Sequence, residues 1–280
     1  MAKLTAHSYG KSDVRLTKVV REGKTHHLSE FSVNVQLTGD FSLAYLGGDN
    51  RKIIATDSIK NTVYVLAKEN KFTTAEQFAV LLAEHFPATY PQVDSAKVEI
   101  VEARWKRIKV KKQPHEHAFV NGGTEMHTCT VFTNKDGTIV HGGVRDLQIV
   151  KTTNSAWKEF VTDRYRTLKD TSDRIFGTSV TANWEFNTSK TDFEHCTAAI
   201  RTAMLESFAT HISLGVQHTM YEMGRAALAA VPEIKNIEFR LPNKHRIPFN
   251  LDPFGLKFEN DIYVWTDEPY GDISAFIERE

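Results

Sequence analysis

The chain has 280 residues, and its 35 Lys and Arg residues balance 35 Asp and Glu residues, so the formal net charge at pH 7 is zero. This length is typical of two domains, or of one large domain, with a sizeable core. The balanced charge excludes a basic field that would recruit nucleic acid or an anionic membrane, so we expect neither as a partner. Any anionic ligand must be held by local groups.

Cysteine usage and the chain ends indicate a cytoplasmic protein. The two cysteines, Cys129 and Cys196, are too few for a disulfide framework and form no Cys-x-x-Cys motif, so we expect buried thiols. The first thirty residues contain no apolar signal-peptide core, and no run approaches the length of a membrane span. The final residues, IERE, are not a peroxisomal signal of the SKL type.

The first half of the chain is predicted to contain a hairpin, two helices and further strands. Residues 31–38, FSVNVQLT, alternate apolar and polar side chains, which predicts a half-buried strand paired with residues 14–22. One helix is predicted from near Thr56, a favoured capping residue type. A second is predicted from TTAEQF, where Thr73 and Glu76 match a capping box. Further strands are predicted at 97–110, 127–132 and 138–144.

The second half repeats this order. Apolar residues alternate with polar ones in GTSVTANWEFN and then recur at helical spacing over residues 191–210. A second helix is predicted over 214–230, followed by strands at 236–241, 261–265 and 272–277.

We therefore predict an α+β fold of two tandem domains, residues 1–150 and 151–280. Each is expected to be an antiparallel sheet with a helix pair on one face. Such a sheet leaves its other face to be covered, either by closure with other subunits around a wet channel or within a monomeric sandwich. The pattern of residues leaves these two arrangements equally open.

Several local motifs carry no functional signal. The glycine pairs in GGDN, GGTE and HGGV are not nucleotide-binding fingerprints. The sequence His115-Glu116-His117 could supply two metal ligands, but a zinc site needs a third, so we predict no metal. The basic run KRIKVKK, residues 106–112, is typical of a solvated or channel-lining strand face.

Four stretches are harder to explain by packing alone: YGKSDVRL with Lys11, TDSIKNT with Thr56, VQHTMYEMGR with Gln217, and LPNKHRIPF with Asn243 and His245. Each has an ordinary interpretation, respectively a solvated lysine, a helix cap, a surface amide and a core or edge histidine. Together they offer a base, a hydroxyl, an amide and an imidazole, without a metal or a cofactor.

These stretches resemble the urate oxidase (uricase) family over nearly the whole chain. ATDSIKNTVY and LPNKH carry the resemblance most strongly, because their order and separation also fit, and DRYRTLKDTSDRIFGT adds to it. The resemblance implies two tandem tunnelling-fold (T-fold) domains, and a homotetramer that encloses a barrel-like tunnel with active sites at subunit interfaces. It also implies cofactor-independent oxidation of urate by O2 to 5-hydroxyisourate and hydrogen peroxide in purine breakdown.

The resemblance assigns Lys11, Thr56 and His245 to a catalytic relay. Urate is an anion at neutral pH and must lose a further proton before it passes electrons to oxygen, so a base is needed. An amine serves as a base where burial or a cationic neighbour lowers its pKa. We hypothesise that Lys11 acts as this base through the Thr56 hydroxyl, with His245 orienting the lysine and relaying the proton.

The resemblance also implies a substrate-binding set. Arg174 fits the arginine that clamps urate through two parallel hydrogen bonds. Gln217 fits the amide on the opposing edge, and Val216 brings backbone groups beside it. Asn243, with Thr56, fits the pair that holds oxygen or water above the purine plane.

The start of the helix at Thr56 is expected to contribute as well, since the backbone N–H groups of Thr56 and Asp57 face the anion. One departure from the family lies nearby. Trp157 stands where a phenylalanine usually stacks on the purine, and Glu159 stands where a glycine is common. Because Trp stacks as well as Phe, we place Trp157 in the site, with Phe160 as the alternative.

Two other functions stay open on the sequence. A zinc-dependent pterin or purine hydrolase of the same fold would need a cluster of His and Cys ligands, which the sequence does not offer. A non-catalytic purine-binding protein of uricase ancestry is favoured only by the departure at Trp157.

Overall fold

The computed structural model describes residues 2–280, which form ten β-strands, five α-helices and one short 3-10 helix. The strands are β1 (Tyr9–Glu22), β2 (Thr25–Gly39), β3 (Val93–Val110), β4 (Gln113–Asn134), β5 (Gly137–Lys151), β6 (Phe176–Phe186), β7 (Ile234–Arg240), β8 (Asn243–Pro248), β9 (Tyr263–Thr266) and β10 (Ser274–Glu278). The helices are α1 (Ser42–Gly47), α2 (Thr56–Glu69), α3 (Ala75–Thr89), α4 (Phe193–Thr210) and α5 (Val216–Ala230), and the 3-10 helix is Asp252–Phe254.

The chain divides into two compact units. The first contains the residues up to Gly143 together with Glu185–Glu194, and the second contains Val144–Trp184 and His195–Glu280. In the first unit the hydrogen-bonded strand order is β1-β2-β3-β4-β5. In the second it is β5-β6-β7-β10, with β8 beside β6 and β9 beside β8. The predicted α+β class with antiparallel pairing is confirmed, whereas the division of the chain at residue 150 stays a prediction.

The alternation predicted for residues 31–38 is confirmed, and it builds the core of the first unit. Val33 and Val35 are fully buried and pair in register with Ile100 and Val98 of β3. Helix α2 packs on β1, and α3 packs on β3 and β4. The helices contribute buried side chains that include Ile59, Val63, Phe78, Leu82 and Phe86. Each such side chain stabilises the fold by about 1.5–3 kcal/mol relative to leaving it exposed.

The start of α2 differs from the prediction. The helix begins at Thr56 as expected, but its N-cap is Ala55, and no side chain of the described residues caps it. The predicted cap at Thr56 is therefore wrong. The first N–H groups of the helix are left without a side-chain acceptor.

The predicted capping box of α3 is displaced by one residue. The N-cap is Thr74, whose Oγ1 accepts a hydrogen bond from the Gln77 N–H, and Gln77 Oε1 in turn accepts one from the Thr73 N–H. Glu76 is buried instead and lies 2.7 Å from His127 Nε2. The register changes because the carboxylate of Glu76 gains more from a buried imidazole than from an exposed backbone amide.

The second unit is built in the same way, with α5 packed on β7 and β10. Its core includes Val180, Trp184, Ile200, Met204, Met220, Ile237 and Phe239. Gly224 lets α5 approach the sheet closely, since a Cβ there would lie 2.4 Å from Ile277 Cδ1 and 3.2 Å from Phe239 Cε2. No helix within residues 2–280 is both long and apolar enough to cross a membrane.

In both units a lysine on a strand caps the C-terminus of a helix, which supports the tandem repeat. Lys18 Nζ, on β1, donates to two carbonyl oxygens at the end of α2, at 2.7 and 2.8 Å. Lys151 Nζ, on β5, donates to two carbonyl oxygens at the end of α4 and just beyond it, at 3.3 and 2.8 Å. Burial lowers the pKa of both amines. In each unit a cation thus satisfies the free carbonyls at a helix C-terminus.

Candidate active site

Lys11 lies where β1 is interrupted by a bulge. The pairing of β1 with β2 shifts between Lys11 and Val14, and Asp13 in this interval adopts φ 54°, in the left-handed region. The Asp13 N–H donates to Asn34 Oδ1 at 2.8 Å, and its Oδ1 accepts from Ser32 Oγ at 3.1 Å. Bulges redirect side chains and are frequent beside active sites. This bulge sets the direction in which the half-buried Lys11 side chain leaves the strand.

Tyr9 ties the start of β1 to the segment that leads into α2. Its Oη accepts a hydrogen bond from the Ile54 N–H at 2.8 Å, and its ring meets that of Phe41 edge-on at 4.8 Å. Burial raises the pKa of Tyr9, so the phenol stays protonated. Lys11 is two residues beyond Tyr9, and Thr56 is two residues beyond Ile54. This bond therefore fixes the two elements that carry the predicted base and hydroxyl.

Thr56 and Asp57 open α2, and both are exposed. The Asp57 carboxylate accepts from Lys60 Nζ at 2.6 Å and from Asn61 Nδ2 at 3.0 Å. The Lys60 hydrogen bond is the main cause that lowers the pKa of Asp57, and Lys11 adds a smaller electrostatic effect. The side chain of Asp57 is thus committed to its own helix. Only its backbone N–H, at the uncapped helix start, is free to fill the predicted binding role.

In the second unit, Trp157 and Arg174 lie together. The Arg174 Cζ is 5.7 Å from the centroid of the Trp157 ring, and Phe160 stacks on the same indole at 5.5 Å with an interplanar angle of 17°. Arg174 Nε is buried and has no hydrogen-bond partner among the described residues, and burial lowers the pKa of the guanidinium. A desolvated cation with an unused donor is costly. An anionic ligand would satisfy it.

The start of α5 adjoins this pair. A Cβ at the N-cap, Gly215, would lie 2.9 Å from Trp157 Cζ3 and 3.5 Å from Gln217 Oε1. The indole therefore packs directly against the helix N-terminus, at a position where only glycine fits. No side chain of the described residues caps α5. Val216 is buried, and Gln217 is exposed and able to meet a ligand. Trp157, Arg174 and Gln217 are thus brought together.

Arg166 packs on Phe160, the ring that stacks on Trp157. Its Cζ lies 4.1 Å from the centroid of the Phe160 ring, which is a cation–π contact. The guanidinium also donates to Thr162 Oγ1 at 2.7 Å, to the Leu168 carbonyl at 3.1 Å and to Asp170 Oδ1 at 2.5 Å. These bonds fold the segment after Trp157 into a defined loop.

Glu159, between the two stacked rings in sequence, adopts φ 61°. This left-handed conformation costs a non-glycine residue about 1–2 kcal/mol. A glycine would adopt this conformation without the strain.

Asn243 and His245 lie on β8, beside β6, which begins two residues after Arg174. The Asn243 N–H donates to the Gly271 carbonyl at 3.0 Å, and His245 pairs with Thr266 of β9. Both side chains are half-buried. Within residues 2–280 no hydrogen bond joins either of them to the cluster around Arg174.

The candidate residues therefore form separate groups. Lys11, Thr56 and Asp57 belong to the first unit. The second unit holds the cluster of Trp157, Arg174, Val216 and Gln217, with Asn243 and His245 on β8. In the described part of the chain, no set of three or more His, Cys, Asp or Glu side chains is placed to hold a metal ion.

Comparison with known proteins adds sequence evidence to this geometry. The Uricase family model matches residues 7–132 and 140–274. The uricase of Arthrobacter globiformis is 39% identical over 277 residues, which cover 99% of this chain and 90% of that protein. The uricase of Dictyostelium discoideum is 36% identical over 282 residues, which cover 100% of this chain and 98% of that protein.

Solved structures agree with the sequence matches. The crystal structure of uricase from Arthrobacter globiformis superposes with a TM-score of 0.95 at 38% identity, over 100% of this chain and 96% of that one. A uricase from Bacillus fastidious, at 22% identity, shares the fold with a TM-score of 0.86 over 98% of this chain and 94% of that one. The predicted tandem T-fold is thereby confirmed, and the chain belongs to the uricase family.

Proposed function

We propose that this protein oxidises urate with O2 and water to 5-hydroxyisourate and hydrogen peroxide. The observation that carries the proposal is the desolvated guanidinium of Arg174, whose Nε is unpartnered beside Trp157 and the uncapped start of α5. Urate is a planar anion, so it offers a ring face to the indole and carbonyl acceptors to the guanidinium. Gln217 then binds the opposing edge through its amide, with the backbone of Val216 beside it.

Groups from both units supply the proton chemistry. Lys11 takes the second proton of urate through the Thr56 hydroxyl, and His245 relays it. The dianion passes two electrons to O2, which leaves as hydrogen peroxide after taking two protons, and water adds to the oxidised purine as a hydroxyl. Asn243 and Thr56 hold the oxygen or the water above the ring. The uncapped N–H groups at the start of α2 stabilise the negative charge that develops on urate.

We further propose that the two groups meet between subunits of a homotetramer that encloses a tunnel. Lys11 and Thr56 of one copy would then face Arg174 and Gln217 of another. The exposure of Thr56 and the missing cap of α2 support this arrangement, because they leave the first N–H groups of the helix without an acceptor from the unit itself.

Mixing two inactive variants tests both proposals together. Lys11→Ala and Arg174→Ala should each abolish urate oxidation. In tetramers assembled from equal amounts of the two variants, about a quarter of the sites should be active. Each active site needs a chain with an intact Lys11 on one side and a chain with an intact Arg174 on the other, and each of these is present in about half of the cases. A mixture of Lys11→Ala with Thr56→Ala is the control and should regain nothing, because both changes lie in the same group. Mixed tetramers without recovery would contradict the interface site.

The family evidence does not favour the other functions that the sequence leaves open. Oxygen consumption separates them directly. A purine-binding protein would bind urate without using oxygen, and a hydrolase would release a hydrolysed purine or pterin without forming hydrogen peroxide.

A further inference from the structure

We infer that Ser213 and Thr219 form a buried hydroxyl pair that positions the urate-binding residues, with His211 as its third member. The inference rests on the proposed function, because it assigns a role toward the ligand of Trp157, Arg174 and Gln217. None of the three members is expected to touch urate. They are positioning residues.

The three side chains form a continuous hydrogen-bond chain. His211 Nε2 lies 2.9 Å from Thr219 Oγ1, Thr219 Oγ1 donates to Ser213 Oγ at 2.7 Å, and Ser213 Oγ donates to the Gly215 carbonyl at 3.1 Å. Thr219 Oγ1 also lies 3.2 Å from that carbonyl. A hydroxyl has one proton to donate. When Thr219 Oγ1 donates its proton to Ser213 or to the Gly215 carbonyl, it accepts from His211, in the imidazole tautomer that carries a hydrogen on Nε2.

The chain ends at the first turn of α5. The Gly215 carbonyl accepts from the Thr219 N–H at 3.1 Å as well as from the hydroxyl chain. Several donors therefore hold the carbonyl of Gly215, the N-cap of α5, whereas within residues 2–280 no side chain accepts from the first N–H groups of this helix. The direction of the free N–H groups at Val216 and Gln217 follows from the orientation of this residue. The chain thus controls one edge of the proposed urate site.

The backbone of Ser213 controls the other edge. Its N–H donates to the Asn154 carbonyl at 2.9 Å, and its carbonyl accepts from the Ala156 N–H at 2.8 Å, which pins the residues immediately before Trp157. The Ser155 carbonyl, within this short bridge, accepts from the Arg174 N–H at 2.8 Å.

One buried residue therefore joins the segments that carry Trp157, Arg174 and Gln217. Ser213 and Thr219 are both fully buried. Fully satisfied buried polar networks make the local geometry rigid and specific. A shift in this network would move the stacking ring, the guanidinium and the amide relative to one another.

Conservative variants test the inference. Thr219→Val keeps the volume but removes the hydroxyl, and it should weaken anaerobic urate binding and raise the KM for urate about 10-fold, a change of the size that one hydrogen bond produces. The kcat should change less than the KM, because the proposed proton-transfer groups, Lys11, Thr56 and His245, make no hydrogen bond with this network among the described residues. Thr219→Ser restores the hydroxyl and should restore both values to within about twofold of wild type, because the hydrogen bond is remade.

Thr197→Val is the matched control. Thr197 is also a buried threonine of the second unit, on α4, but its Oγ1 has no hydrogen-bond partner among the described residues. Its replacement should leave the KM unchanged. If Thr219→Val does not fold, Ser213→Ala is measured instead, with the same expectation.

Unchanged urate binding in the folded variant would overturn the inference. So would a loss of melting temperature with an unaltered KM, or a failure of serine to rescue, since each would assign the hydroxyls a purely structural role. Failure of the proposed function would look different, because the wild-type protein itself would then consume no oxygen with urate.

Discussion

Arg174→Lys tests the binding site in the most specific way. Lysine keeps the positive charge but loses the planar fork, and with it the Nε donor that is buried beside Trp157 without a partner. A hydrogen bond to a charged group contributes about 1.5–3 kcal/mol. The loss of one such bond predicts that the variant binds urate about 10- to 150-fold more weakly, because each 1.4 kcal/mol is tenfold in affinity.

The stability of Arg174→Lys should stay close to that of the wild type. Burial already lowers the pKa of Arg174, so folding pays a desolvation cost for this guanidinium that no bonded partner offsets at Nε. Binding and stability are therefore predicted to change independently. Arg225→Lys is the control, because Arg225 is exposed and bonds Glu222 on the same helix at 2.6 Å.

The assay is titration of urate without oxygen, followed through tryptophan fluorescence, together with the steady-state KM. The reasoning would be refuted by an Arg174→Lys variant that binds urate within twofold of the wild type. It would also be refuted if Arg225→Lys weakened binding as strongly.

Three further predictions concern stability. Glu159→Gly should raise the free energy of unfolding by about 1 kcal/mol in thermal melts, because it relieves a left-handed conformation; Lys158→Gly, whose φ is not positive, should lower it. Burial, the largest single effect, acts to raise the pKa of Glu76, but the hydrogen bond and the charge of His127, together with hydrogen bonds from the backbone and Thr74, outweigh it, and the pKa falls below 4.5. The unfolded chain then binds more protons, so stability is lost as pH falls from 4.5, and Glu76→Gln should weaken this acid sensitivity in pH-dependent denaturation. Burial raises the pKa of Glu102 above 4.5, so between 4.5 and this raised pKa the folded chain binds more protons than the unfolded chain. Stability is therefore lost as pH rises through this interval. An unchanged pH profile of stability for Glu102→Gln would contradict the assignment.

Much of the fold could be predicted because its signals are local. The alternation in residues 31–38 requires a half-buried strand, and the periodic apolar residues of 191–210 require a helix that packs on a sheet. Both cysteines were expected to be buried thiols, and they are. The short helix α1 was not predicted, because six residues are too few to show a helical period.

Two helix starts differ from the prediction, and at α3 the cause is a tertiary contact. Thr56 is a favoured residue type for an N-cap, and as the cap it would precede a helix that begins at Asp57. The helix instead begins at Thr56, with Ala55 as its N-cap. Glu76 matches a capping box, but it pairs with His127, which is 51 residues away in sequence. Local propensity could not detect a partner on a distant strand.

The candidate site divides in the same way. Lys11, Thr56 and Gln217 stand in motifs that the family resemblance identifies, so they could be predicted. The hydrogen bond from Ile54 to Tyr9 and the hydroxyl pair of Ser213 and Thr219 could not, because a serine or threonine near a helix start is common and its partners are set only by folding.

The most direct test of the central claim is the stoichiometry of the reaction. Purified wild-type protein, treated with chelator, is supplied with urate while urate absorbance, dissolved oxygen and hydrogen peroxide are followed together. The account predicts that one O2 is consumed and one hydrogen peroxide is formed for each urate lost. Urate bound tightly without oxygen consumption, or lost without peroxide, would contradict it.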